Sequence, residues 1–107
     1  MTNSRREQIE EMLKNEPEDQ FLRYSLAMEV TKEDAEKGLE MLDELTQDEK
    51  PLISAFFMAA QSLERLERIS DARTYLRNGI DEARKQGDAH AAGEMSEMLA
   101  SLGQHGE

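Results

Sequence analysis

The sequence predicts an all-α protein, an α-solenoid of antiparallel helix pairs with about six helices. Three observations carry that expectation. Apolar residues recur at spacings of three and four from Ile9 to Leu102, the period of helices that each bury one face. Nothing alternates with period two over a useful length, so no strand is predicted. The chain also matches itself: Pro17 and Pro51, Leu22 and Phe56, Gly38 and Ala72, Leu42 and Leu76, and Leu45 and Gly79 each stand 34 residues apart. A period of that length is one helix-turn-helix unit, which cannot bury its apolar stripe alone and must stack on its neighbours.

The elements follow in order. Ser4 and Glu7 form an S-x-x-E capping box ahead of Ile9, Met12 and Leu13. That first helix, 4–15, stops before Pro17, because a proline inside a helix loses a hydrogen bond and clashes with the preceding turn. A second helix spans about Glu18 to Val30. Thr31 is the expected cap of a third, whose buried stripe is Ala35, Gly38, Leu42 and Leu45. Pro51 suits the first turn of a fourth, with the face Phe56, Ala59, Ala60, Leu63 and Leu66. Ser70 is the expected cap of a fifth, where Ala72, Tyr75, Leu76, Gly79, Ile80 and Ala83 make a long stripe ending near Gly87. Asp88 starts a sixth, carrying Ala91, Met95, Met98, Leu99 and Leu102 to an end at Gly103.

In the first half of each unit the better match is Tyr24-Ser25-Leu26-Ala27 with Phe57-Met58-Ala59-Ala60, offset by 33, which places a one-residue deletion in the turn near Thr31 to Asp34. Small residues at Ala60, Ala72 and Gly79 let helix axes approach, and Phe56, Leu63 and Leu76 fill the spaces beside them. The expected organisation is one domain over 1–103: a capping helix (4–15), a first repeat (17–50), a second (51–86) and a closing helix (88–102). Residues 104–107 are expected to be a disordered tail.

Period, helix-turn-helix content and the small/large pattern resemble the tetratricopeptide repeat. The second unit matches that pattern at Phe56, Ala59-Ala60, Leu63, Ala72, Leu76 and Gly79. The first matches at Leu26-Ala27, Val30, Gly38, Leu42, Leu45 and closing Pro51, with Arg23 where the first aromatic is expected. The second unit has no closing proline and runs on through Arg84 and Lys85. The resemblance covers Pro17 to Gln86 and implies a right-handed solenoid whose flanking helices act as caps.

Composition narrows the function classes. A net charge of −11 repels nucleic-acid phosphates and anionic headgroups, and the N-terminal half carries most of it, 15 acids against 7 bases over residues 1–50. Nucleic acid and membrane are therefore not expected partners. Cysteine is absent, which excludes a disulfide framework and thiolate chemistry. The opening stretch has no apolar signal core, so a cytoplasmic protein is expected.

No motif of catalysis is present: no glycine-rich phosphate loop, no G-x-S-x-G and no H-E-x-x-H. The expectation is no enzyme and no cofactor. His90, Glu94 and Glu97 have a spacing that can offer metal ligands, but they read as an exposed polar face opposite Met95 and Met98, and no metal is expected. Glu33, Glu36, Glu40 and Glu44 read as a solvated outer face.

The resemblance implies a protein-interaction module or scaffold, because in that family the first helices of successive repeats line a concave groove that receives peptides or partner helices. Carried over, Tyr24 and Met28 lie beside Phe57 and Gln61, with Glu64 and Arg65 further along. The alternative for Tyr24 and Phe57 is packing between repeats. The family's clamp for acidic C-termini is not expected, since asparagine is absent from both groove helices. The expected partner is a protein or peptide of basic and apolar character. The second function class is structural self-association through the solenoid end or groove, which leaves the chain a monomer or a weak homodimer.

Overall fold

The computed structural model describes residues 4–106, with side chains as far as residue 103. Among these it contains six helices and no strand: α1 (Arg5–Asn15), α2 (Gln20–Glu33), α3 (Ala35–Thr46), α4 (Ile53–Arg65), α5 (Ile69–Lys85) and α6 (Ala89–Gly106). Each helix packs on the next in sequence, and α4 also touches α6, giving an elongated stack of 49 × 29 × 19 Å. Consecutive helices joined by short turns are antiparallel neighbours, so the all-α helical-repeat fold read from the sequence is what forms.

The buried stripes are those the spacing marks, except that Leu66, expected at the end of the α4 face, is the C-cap of that helix and stands 37% exposed. Leu42 and Leu45 on α3, Phe56, Ala59, Ala60 and Leu63 on α4, and Ala72, Leu76, Ile80 and Ala83 on α5 join one core that Met95 and Leu102 extend into α6. The buried alanines of α4 and α5 carry no exposed surface, and the leucines beside them fill the space that the small residues leave. α1 contributes only Ile9 to the interior and is otherwise tied to α2 by ion pairs of Arg5 with Glu29 and Arg6 with Glu33. Phe21 and Met12 remain 73% and 52% exposed on either side of a cleft between α1 and α2.

Helix starts differ from expectation in three places. The Ser4 capping box forms, with Glu7 N–H donating to Ser4 Oγ at 3.1 Å and Ser4 N–H to Glu7 Oε1 at 3.0 Å. Thr31, however, lies inside α2 and donates its hydroxyl to the Ala27 carbonyl at 2.7 Å, while Asp34 caps α3 by accepting from Lys37 N–H at 3.1 Å. α2 therefore runs on to Glu33 and a single residue separates it from α3, against three between α4 and α5; the missing residue of the first unit falls in this turn.

Pro51 precedes the first turn of α4 rather than joining it, because Leu52 is extended and the helical bonds begin with Ala55 N–H to the Leu52 carbonyl at 3.0 Å. Ser70 is not a cap either: α5 has already begun at Ile69 with Arg68 at its N-cap. Both follow from how the preceding element ends. α4 closes with Arg68 N–H on the Leu63 carbonyl and Glu67 N–H on the Glu64 carbonyl, a Schellman turn with Glu67 at φ 61°, and the next helix starts straight out of it. At the other end α6 continues through Gly103 to Gly106, so residues 104–106 of the expected disordered tail extend that helix. Glu107 lies outside the described residues.

Candidate functional site

α4 is hemmed in on most sides. Ala55, Phe56, Ala59, Ala60, Ser62 and Leu63 are buried against α3, α5 and α6, which leaves one narrow face toward solvent. Two neighbouring stripes make up that face: Phe57, Gln61 and Glu64, and beside them Met58 and Arg65 with the buried Ser62 between them, each at helical spacing. The first stripe looks toward α6 and the second toward α2.

A cleft of about 620 Å³ separates α4 from α6. Its α4 wall is Phe57, Gln61, Glu64 and Arg65. Its α6 wall is Glu94, Glu97, Met98 and Ser101. Three carboxylates face one guanidinium here, and Phe57 and Met98 are the apolar elements, each half-buried against the core. Glu94 lies 3.3 Å from His90 Nε2 one turn away. Among the described residues Glu64, Glu97 and Arg65 form no ion pair, so the cleft holds uncompensated negative charge.

A second cleft of about 380 Å³ lies on the other side of α4, against α2 and the start of α3. Met28, Ala35, Met58 and Leu66 line it with carbon and sulfur, and Arg65 and Lys32 stand at its rim. Lys32 is paired with Glu29 at 3.1 Å.

The structure thus gathers four of the six residues singled out in the sequence, Phe57, Gln61, Glu64 and Arg65, into one cleft. Met28 is in the adjoining one. Tyr24 lines neither: it is half-buried against the core, and the burial pushes its phenol above the usual tyrosine range. The α6 wall was not among the expected site residues. A signal for it exists, because Glu94, Glu97 and Met98 stand 33 residues after Gln61, Glu64 and Arg65, the offset that relates Tyr24 to Phe57.

The orientation of the site helices is fixed by polar ties across the stack. Arg23 on α2 grips Asp48, in the α3–α4 turn, with two bonds of 2.8 and 3.0 Å. Gln20 adds one to the same carboxylate at 2.9 Å and one to the Lys50 carbonyl at 2.7 Å. Gln86, at the end of α5, reaches the Pro51 carbonyl at 2.9 Å, so the turn leading into α4 is held from both sides. Bonding from Arg23 and Gln20 draws the Asp48 carboxyl below the usual range against a smaller opposing effect of burial. Arg23, standing where an aromatic was expected, replaces ring packing with this clasp. On the opposite face Tyr75 of α5 donates to Asp43 of α3. The acidic stripe is spent in the same way in part: Glu33 pairs with Arg6, Glu36 with Arg68 and Glu40 with Lys37.

No family model matches the chain, and no curated protein does. Among solved structures, a tetratricopeptide repeat domain protein from Salinibacter ruber is similar at 31% identity and a TM-score of 0.75, covering 80% of this chain and 88% of that one. The chain belongs to the tetratricopeptide repeat family. A protein from Bordetella parapertussis shares the fold at 19% identity and a TM-score of 0.81, covering 97% of this chain and 91% of its own. In this tetratricopeptide repeat protein the face carrying both clefts is the one shared by α2, α4 and α6. Among the described residues of this repeat protein no three histidine or carboxylate side chains gather where they could hold a metal ion, and no helix is long and apolar enough to cross a membrane.

Proposed function

We propose that the face formed by α2, α4 and α6 docks a segment of another protein, extended or helical, that combines apolar anchors with lysine or arginine. The reading is non-catalytic and places the encounter in the cytoplasm. The observation that carries it is the α4–α6 cleft, where Glu64, Glu94 and Glu97 outnumber Arg65 around the apolar contacts of Phe57 and Met98. A net charge of −11 adds long-range attraction for a cationic segment and repulsion for an acidic one. On this reading residues 17–50 and 51–86 are the two repeats, α1 closes one end of the stack, and α6 both closes the other and supplies a wall of the groove.

A peptide array read at low and moderate salt tests the proposal. Basic, apolar peptides are expected to dominate the hits, and binding weakens with salt as the charges are screened. Phe57→Ala and Glu97→Lys are expected to weaken binding while circular dichroism stays that of the parent protein. Acidic peptides among the strongest hits, or normal binding by both folded variants, would place the interaction surface elsewhere.

Self-association has one observation in its favour, the exposed Phe21 and Met12 at the α1 end. The high like charge of two copies opposes it. Light scattering at low and high salt separates the readings: a dimer that forms only as salt rises and disappears in Phe21→Ser would support this second one.

A further inference from the structure

The two clefts flank α4 and have Arg65 in common. Their chemistry is opposite. On the α6 side Glu64, Glu94 and Glu97 suit a cation; on the α2 side Met28, Met58 and Leu66 supply apolar contact beside Thr31 and Ser62, with no carboxylate in the lining. We infer that a single extended segment of a partner protein crosses α4, setting a lysine or arginine in the α6-side cleft and an aliphatic side chain in the α2-side cleft, with the two anchors three residues apart. This rests on the docking function proposed above and specifies the order of chemistry along the ligand.

The spacing comes from the width of the ridge between the clefts. A helix with its side chains is about 10–12 Å across, and two stripes one residue apart, about 100° around it, stand about 8–9 Å from each other. A polyproline II segment rises about 3.1 Å per residue with three residues per turn, so positions i and i+3 point the same way about 9 Å apart. A β-strand fits less well, because same-side positions fall about 7 or 13 Å apart. The polyproline II form also leaves the ligand backbone unpaired, and Arg65, on the crest with no ion pair among the described residues, is placed to donate to the carbonyls that pass over it. The α2-side cleft accepts leucine, isoleucine or methionine with little discrimination, since two of its walls are flexible methionines.

The test uses isotopically labelled protein titrated at low salt with short proline- and serine-based peptides. Each carries one arginine and one leucine, set two, three, four or five positions apart, and chemical-shift changes report the affinity. Binding is expected to peak at a separation of three, about fivefold tighter than at two or five. Glu97→Lys should remove the preference for arginine over serine and leave that for leucine, and Leu66→Asp should do the reverse; Met28→Gln repeats the second arm if Leu66→Asp does not fold. A flat dependence on separation, a peak elsewhere, or variants that lose both preferences together overturns the two-anchor crossing while the docking function stands. If no peptide shifts the resonances of α4 or α6, both fall.

Discussion

Gly79 sits directly against Phe56: a β-carbon added to it would stand 2.7 Å from the Phe56 Cβ and 2.6 Å from the Met95 sulfur. The axes of α4, α5 and α6 can be this close only because that position is empty. Gly79→Leu is expected to destabilise the fold by about 1–3 kcal/mol, and so is Ala72→Leu at a fully buried site. Gly38 is tighter still, since an added β-carbon would lie 2.0 Å from the Thr31 Oγ1 and 2.7 Å from the Thr31 Cα, which is backbone and cannot rotate away. Even Gly38→Ala is therefore expected to lose stability, despite a helix-propensity gain of about 1 kcal/mol. Urea unfolding followed by circular dichroism measures all three; unchanged midpoints would mean that α2 and α5 can shift without loss.

Glu67 and Gly87 occupy the same place in two Schellman turns, at φ 61° and φ 78°. In the second turn Asp88 N–H bonds the Ala83 carbonyl and Gly87 N–H the Arg84 carbonyl, as Arg68 and Glu67 do in the first. A side chain in this left-handed region is strained and glycine is not. Glu67→Gly should raise stability by about 1 kcal/mol, and Gly87→Ala, which meets no neighbouring atom, should lower it by a similar amount through the backbone alone. Thermal denaturation of the pair should move in opposite directions.

The Arg23–Asp48 clasp makes stability sensitive to acid. Asp48 has its folded pKa drawn below the unfolded value, so its contribution is complete above the ordinary aspartate pKa of about 4 and is lost as the pH falls through the folded value. Asp48→Asn should lower stability at neutral pH by about 1–2 kcal/mol and flatten the decline below pH 4. Unfolding free energies at pH 7 and pH 3 give the comparison; an unchanged slope would assign the acid sensitivity to other carboxylates.

Tyr75 sets an alkaline limit. Burial, then its bond to Asp43, raises its phenol well above the usual value, so its contribution is complete below about pH 10 and is lost as the pH climbs toward the folded pKa. Tyr75→Phe should lose about 1 kcal/mol at neutral pH and show a shallower decline above pH 10. Some slope should remain from Tyr24, whose phenol burial also raises. Phenolate absorbance should rise with pH as both tyrosines ionise in the parent protein, and only the Tyr24 signal should remain in the variant.

The helix stripes were legible because burial and spacing are the same fact. Leu42, Leu76 and Ala72 recur where a helix turns inward, and each is fully buried. Helix starts were less legible. Thr31 and Ser70 are good capping residues by type, but a cap acts only where the preceding helix has stopped, and α2 runs past Thr31 while the Schellman turn at Glu67 launches α5 before Ser70.

The site divides along the same line. By itself the sequence determined the helical class, the repeat, the buried stripes and the acidic surface, since each depends on residue type and on separations of a few residues or one fixed period. Only the tertiary structure decided that Phe57, Gln61 and Glu64 face α6, that Arg65 stands between two clefts, that Met28 belongs to the second of them and that Tyr24 packs inward. Those outcomes depend on how far each helix turns about its own axis against its neighbours, and that rotation is set by contacts as distant in sequence as Gly79 with Phe56 and Arg23 with Asp48.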